Sequence, residues 1–147
     1  MDIARHIALI DELCHRPFPA GHGPSKVGAG APGHFTAVLE TSRGLRAGRP
    51  VERAVTVEQF EKERDALHEL LAVRRGEEGD VLNLQTVLLR TAGEEIPEPW
   101  AGLSASARVA YLWEARGTGR WIALAVAERD ETDEVRLLAV VTGQAPP

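Results

Sequence analysis

Four arginines, Arg43, Arg46, Arg49 and Arg53, stand at spacings of three, three and four in this 147-residue chain. On a helix those intervals gather most of the side chains on one side. Guanidinium groups gathered this way present forks to the oxygens of a phosphate, an acidic ligand or an acidic protein partner. Pro50 interrupts the series, so Arg53 is expected to diverge from the other three. The competing expectation is a solvated basic face that complements an acidic remainder. Residues 1–54 carry seven Lys/Arg against five Asp/Glu, whereas residues 55–147 carry ten against seventeen.

Other chemistries fail on context. His6, Cys14, His15, His22 and His34 can all ligate zinc, but their spacing matches none of the short paired patterns of structural sites, so no metal is expected. Cys14 beside His15 resembles a nucleophile and its base. Its place at a helix C-terminus, on the apolar side, disfavours the thiolate and points to a packed core cysteine. Gly28-Ala29-Gly30-Ala31-Pro32-Gly33 spells a dinucleotide fingerprint, yet no strand precedes it, so it reads as loop and no cofactor is expected. Gly102-Leu103-Ser104-Ala105-Ser106 lacks the final glycine of a nucleophile elbow. The carboxylates fall on a helix's outer side and in a turn at Asp130–Glu134, as solvated runs do. These absences weigh against an enzyme.

Length fits one ordinary domain spanning residues 1–147, large enough to bury a core. A net charge of −5 argues against nucleic acid or a membrane surface as partner. With one cysteine no internal disulfide is possible. No apolar run approaches a membrane span, and the first residues do not form a signal peptide, so a soluble, cytoplasmic protein is expected. Fifteen of the seventeen cations are arginine, and with abundant Ala and Gly this points to a GC-rich bacterial genome.

The elements that must position these residues centre on Arg108–Thr142, which predicts three strands, Arg108–Ala115, Arg120–Glu128 and Glu134–Thr142. Folding the first hairpin about Thr118 sets Trp113 against Ala123, Tyr111 against Ala125 and Arg108 against Glu128. Folding the second about Thr132 sets Val126 against Leu138 and Leu124 against Val140. In that register Tyr111, Trp113 and Trp121 share one side, opposite Leu112, Leu124 and Leu138. Both sides are apolar, so both need cover. A helix over 104–115 is the alternative for the first strand.

Upstream, Asp2 caps a helix from Ile3 to His15, and residues 16–34, with five Gly and four Pro, form a flexible loop. Residues 35–48 fit helix better than strand, and Val51–Val55 suggests a short strand. Thr56 and Gln59 predict a capping box for a helix over Val57–Arg75, with Val55 and Phe60 as its staple, Phe60, Leu67, Leu70 and Leu71 as its apolar side and Gly76 as its C-terminal cap. Val81–Arg90 reads as a fourth strand. Trp100 anchors a loop over 93–107.

The expected fold is α+β: an antiparallel sheet of about four strands packed by the long central helix and an N-terminal helix. The order of elements resembles that of NTF2-like cone folds, which implies a possible pocket and nothing about function. Two functions from different classes follow. One is a non-catalytic protein-binding module of the immunity, antitoxin or adaptor type, contacting a partner or a second copy through the sheet's aromatic side. The other is a small-molecule enzyme or binder with a cone pocket lined by Tyr111, Trp113 and Trp121.

Overall fold

The computed structural model describes residues 2–25, 28–45 and 49–147. Its elements run α1 (Ile3–Leu13), β1 (Gly23–Ser25), β2 (Gly28–Ala31), β3 (His34–Thr41), α2 (Pro50–Arg75), β4 (Asp80–Asn83), α3 (Leu84–Arg90), α4 (Trp100–Ser106), β5 (Ala107–Ala115), β6 (Arg120–Ala127) and β7 (Arg136–Thr142). The class is α+β. Among the described residues seven strands, rather than four, form one sheet in the order β1-β2-β3-β7-β6-β5-β4. Every neighbouring pair is antiparallel. A short N-terminal meander therefore joins the C-terminal one along the β3–β7 seam.

Strand β6 shows how the two sides are divided. Ile122, Leu124 and Val126 point to one side, with Leu137, Ala139 and Val141 of β7 and Phe35 and Ala37 of β3. There they meet Ile10 and Leu13 of α1 and Phe60, Leu67 and Leu71 of α2. The intervening Ala123, Ala125 and Ala127 point to the other side, where α3 and α4 deliver Leu84, Val87, Trp100 and Leu103. Alanines leave the depth that Trp100 fills, and its ring is fully buried. Its indole N–H donates to the carbonyl of Gln144 at 3.1 Å, so the polar end of the ring is satisfied. Trp100 is an anchor as expected, but from a helix.

Several local expectations give way to competing physics. Residues 35–41 form β3, a central strand, because Phe35, Ala37 and Leu39 alternate into the core. The Gly/Pro-rich segment 16–34 supplies β1 and β2. Gly30 sits where a Cβ would come within 2.9 Å of the Pro19 Cγ, so the small residue permits that packing. Helix α2 begins at Pro50, which has no N–H to lose and carries a helical φ at the first position. Val51–Val55 are therefore helix, Val55 is exposed rather than stapled, and the Thr56 hydroxyl donates to the Glu52 carbonyl at 2.9 Å instead of capping. Val81–Arg90 splits at Asn83, whose Oδ1 accepts from the N–H groups of Gln85 and Thr86 and starts α3. The 104–115 ambiguity resolves as both: α4 ends at Ser106 and β5 follows. Other expectations hold. Asp2 accepts from the Arg5 N–H at 3.1 Å, and Gly76 ends α2 with φ 76°.

Candidate functional site

The three aromatic residues do not form the predicted surface. The β5–β6 register pairs Trp113 with Ile122, Tyr111 with Leu124 and Ala115 with Arg120. It differs by one residue from a hairpin folded about Thr118, and a one-residue slip exchanges the two sides. The turn sets this register: Gly117 and Gly119 take φ of 78° and 69°, while Thr118 Oγ1 donates to the Ala115 carbonyl and accepts from the Arg120 N–H. The second hairpin is displaced likewise, with Val126 opposite Leu137 and Leu124 opposite Ala139. Arg108 still reaches Glu128 as an ion pair, beyond a bulge between Ala107 and Ala110.

Tyr111 and Trp113 therefore lie beneath α2 on the aliphatic side, and Trp121 packs on the α3–α4 side. Trp113 is 2% exposed. Its Nε1–H donates to the Glu77 carbonyl at 3.2 Å, and Gly79 lies so close that a Cβ would meet the indole at 2.8 Å. Tyr111 stacks on His68 with ring centroids 4.0 Å apart, and its hydroxyl donates to Asp65 at 3.1 Å. The cone pocket expected between these rings is closed by core packing, and both sides of the sheet are covered by the chain's own helices.

The arginines fare differently. Arg49 is the N-cap residue of α2, and Arg53 lies one turn on. Both line a cleft of about 430 Å³ together with Leu45, Pro50, Ala54 and Val57. That size is in the range of small-ligand sites. The far wall brings Arg108 from β5 and Glu128, Arg129 and Glu131 from the β6–β7 loop. Arg43 is exposed and does not line the cleft, and Arg46 lies outside the described residues. Arg108 and Arg129, remote from Arg53 in sequence, were not foreseen as site residues. The only signal for either was the pairing of Arg108 with Glu128.

Arg53 assembles the far wall. Its Nη1 donates to the Asp133 carbonyl at 2.7 Å, and its Nη2 donates to the carbonyls of Glu128 at 2.9 Å and Asp130 at 2.8 Å. These acceptors are neutral, so they orient the guanidinium without cancelling its charge. Asp130 feels it: bonds from Thr132 hold its carboxyl below the usual range, with Arg53 adding to the effect. Arg129 donates from Nε to the Ala107 carbonyl at 3.0 Å, while its buried Nη2 has no partner among the described residues. Four guanidinium groups thus face two carboxylates in the cleft.

A smaller cavity of about 210 Å³, lined by Glu61, Arg64, Val109 and Val126, shares Arg108 and Glu128 with the first. Together they trace a groove beside α2 from Arg49 to Arg64, roughly 22 Å at the helical rise per residue. The arrangement can hold oxyanions through charge-assisted hydrogen bonds.

The remaining candidates are placed elsewhere. Cys14 is buried, Arg75 donates to its sulfur at 3.6 Å, and burial pushes the thiol up despite that guanidinium. Gly28–Gly33 is β2 and its turn into β3, an antiparallel hairpin rather than a strand leading into a helix. Among the described residues no three His, Cys, Asp or Glu side chains converge as metal ligands, and no helix is long and apolar enough to cross a membrane. Comparison of the chain with family models, curated proteins and solved structures finds no match.

Proposed function

We propose that this chain is a non-catalytic protein-binding module, of the immunity, antitoxin or adaptor type, and that it contacts an acidic segment of its partner through the groove beside α2. The observation that supports it most is the run of Arg49, Arg53, Arg108, Arg129 and Arg64 along one groove in a chain whose net charge is −5. Arg108 is paired with Glu128 and Arg64 with Glu61 and Asp65, yet the lining still carries five arginines against three glutamates, and electrostatic complementarity is how interfaces gain specificity and speed of encounter. The groove replaces the aromatic side of the sheet as the contact surface, since Trp113 is core and the partly buried Tyr111 and Trp121 pack on opposite sides of the sheet.

Site-specific photocrosslinking in the native host tests the proposal. A benzoylphenylalanine at Ala54, inside the cleft, should capture an acidic protein, and one at the outward-facing Val73 should not. Equal capture at both positions, or none at Ala54, would contradict it.

A further inference from the structure

We infer that the cleft at the head of α2 is a carboxylate subsite, binding a carboxylate on an apolar stem between Arg49 and Arg129. The inference rests on the groove being the binding surface and names the chemistry of its deepest part.

Of the four guanidinium groups in the cleft, two are already engaged. Arg53 is spent on loop carbonyls, and Arg108 is paired with Glu128. Two remain open. Arg129 is fixed through Nε to the Ala107 carbonyl, yet its Nη2 is buried with no acceptor among the described residues. A buried charged donor without a partner is costly, and such groups in folded proteins are normally satisfied. Arg49 is exposed, with no side-chain hydrogen bond or ion pair among the described residues. Arg129 is held from the loop through its Nε, and the exposed Arg49 is free to close from the helix.

The backbone adds to the field. The N-cap residue Arg49 makes no side-chain capping bond and Pro50 brings no N–H, so among the described residues no side-chain acceptor answers the positive end of this 26-residue helix, whose first turn lines the cleft. Arg53 contributes charge from one turn further on. Against this stand Glu128, already engaged, and the exposed Glu131 at the loop. The cleft therefore favours one added negative charge.

The rest of the lining selects among anions. Leu45, Pro50, Ala54 and Val57 give the cleft an apolar wall. A compact hydrated ion such as phosphate gains nothing from that wall. A carboxylate on a short carbon chain fits both halves, its oxygens toward Arg49 and Arg129 and its methylenes against Ala54 and Val57. Two sources share this chemistry: a glutamate side chain of a partner protein and a free organic acid.

Calorimetric titration of the full chain at low salt distinguishes them. The probes are N-acetylglutamate methylamide, the matching glutamine compound, butyrate and inorganic phosphate. The glutamate compound should bind and the glutamine compound should not. Arg129→Gln and Arg49→Gln should each weaken binding about tenfold, the effect of losing one charge-assisted hydrogen bond. Arg43→Gln, outside the cleft, should leave it unchanged. If Arg129→Gln fails to fold by circular dichroism, Arg49→Gln, whose side chain has no partner to lose, carries the test. Butyrate binding more tightly than capped glutamate would keep the subsite and overturn the protein-partner reading. Phosphate or the glutamine compound binding as well as the glutamate compound, or binding indifferent to Arg49, would overturn the subsite itself.

Discussion

The two ends of α2 are built on opposite terms. At the C-terminal end most strong groups are answered, the buried Nε of Arg75 excepted among the described residues. Gly76 takes the left-handed conformation that ends the helix, and the Glu77 N–H returns to the Ala72 carbonyl at 3.1 Å. Arg74 and Arg75 share Asp11 of α1. The Gly79 N–H donates to His68 at 3.2 Å, and Trp113 seals the corner through the Glu77 carbonyl. At the N-terminal end, among the described residues, the N-cap residue Arg49 makes no capping bond or ion pair and the Nη2 of Arg129 has no partner. Saturated groups hold a fold together. Open, like-charged groups beside a cleft are where a ligand completes the structure. The contrast assigns stability to one end of the helix and binding to the other.

Substitutions at the two ends should therefore separate stability from binding. The largest stability loss is expected at the saturated end. Trp113→Ala removes a buried ring and should cost about 3–5 kcal/mol in urea denaturation. A loss below about 1 kcal/mol would mean the indole is not core and would break the contrast.

Next comes Arg53→Gln, which strips the β6–β7 loop of its charged donor. A loss of about 2 kcal/mol is expected from hydrogen bonds to a charged group. Amide exchange should quicken in residues 128–133 while the C-terminal turns of α2 keep their protection. Uniform exchange across the helix would show that Arg53 holds more than the loop.

His34 offers a smaller effect, read by pH. Burial holds this imidazole below its ordinary value of 6.5, with Glu98 partly opposing and His22 adding to the shift. The folded state thus binds the proton less readily than the unfolded chain. The stabilisation is full above the unfolded pKa and is lost as pH falls through the lower folded value. Thermal melts between pH 7.5 and pH 5 should fall less steeply for His34→Gln than for the parent. Parallel curves would remove His34 from that role.

The smallest stability change belongs to the open end. Arg49→Gln should alter stability by no more than about 0.5 kcal/mol, as surface substitutions do. A larger loss would show that Arg49 supports the helix and is not free for a ligand.

Much of the saturated end was legible in sequence, because its signals are local. Arg74, Arg75 and Gly76 spell a helix C-terminus, as Asp2 spells the start of α1. The α+β class followed from the long helix and the C-terminal meander. The open end was obscured where local preference yields to context. Val51 and Val55 are strand-forming side chains but are helical behind Pro50, where the helix starts. The strands beside it were recognised, but their register was missed by one residue. Alternation fixes which side chains share a side within a strand, while the turn decides how strands are aligned. That slip alone brought Trp121 together with Trp113 on paper, although they face opposite layers. Arg129 lines the cleft from the β6–β7 loop whose carbonyls Arg53 binds, and no periodicity in the chain encodes that contact.

Nitrogen-detected NMR of the arginine side chains tests the central claim most directly. Spectra of the full chain at low salt would be recorded with increasing N-acetylglutamate methylamide, the resonances assigned by Arg49→Gln, Arg129→Gln and Arg74→Gln. Saturating shifts confined to Arg49 and Arg129, with Arg74 and Arg75 unmoved, are the predicted result. Shifts of equal size at both ends of α2, or none at Arg129, would contradict the division of the helix into a structural end and a binding end.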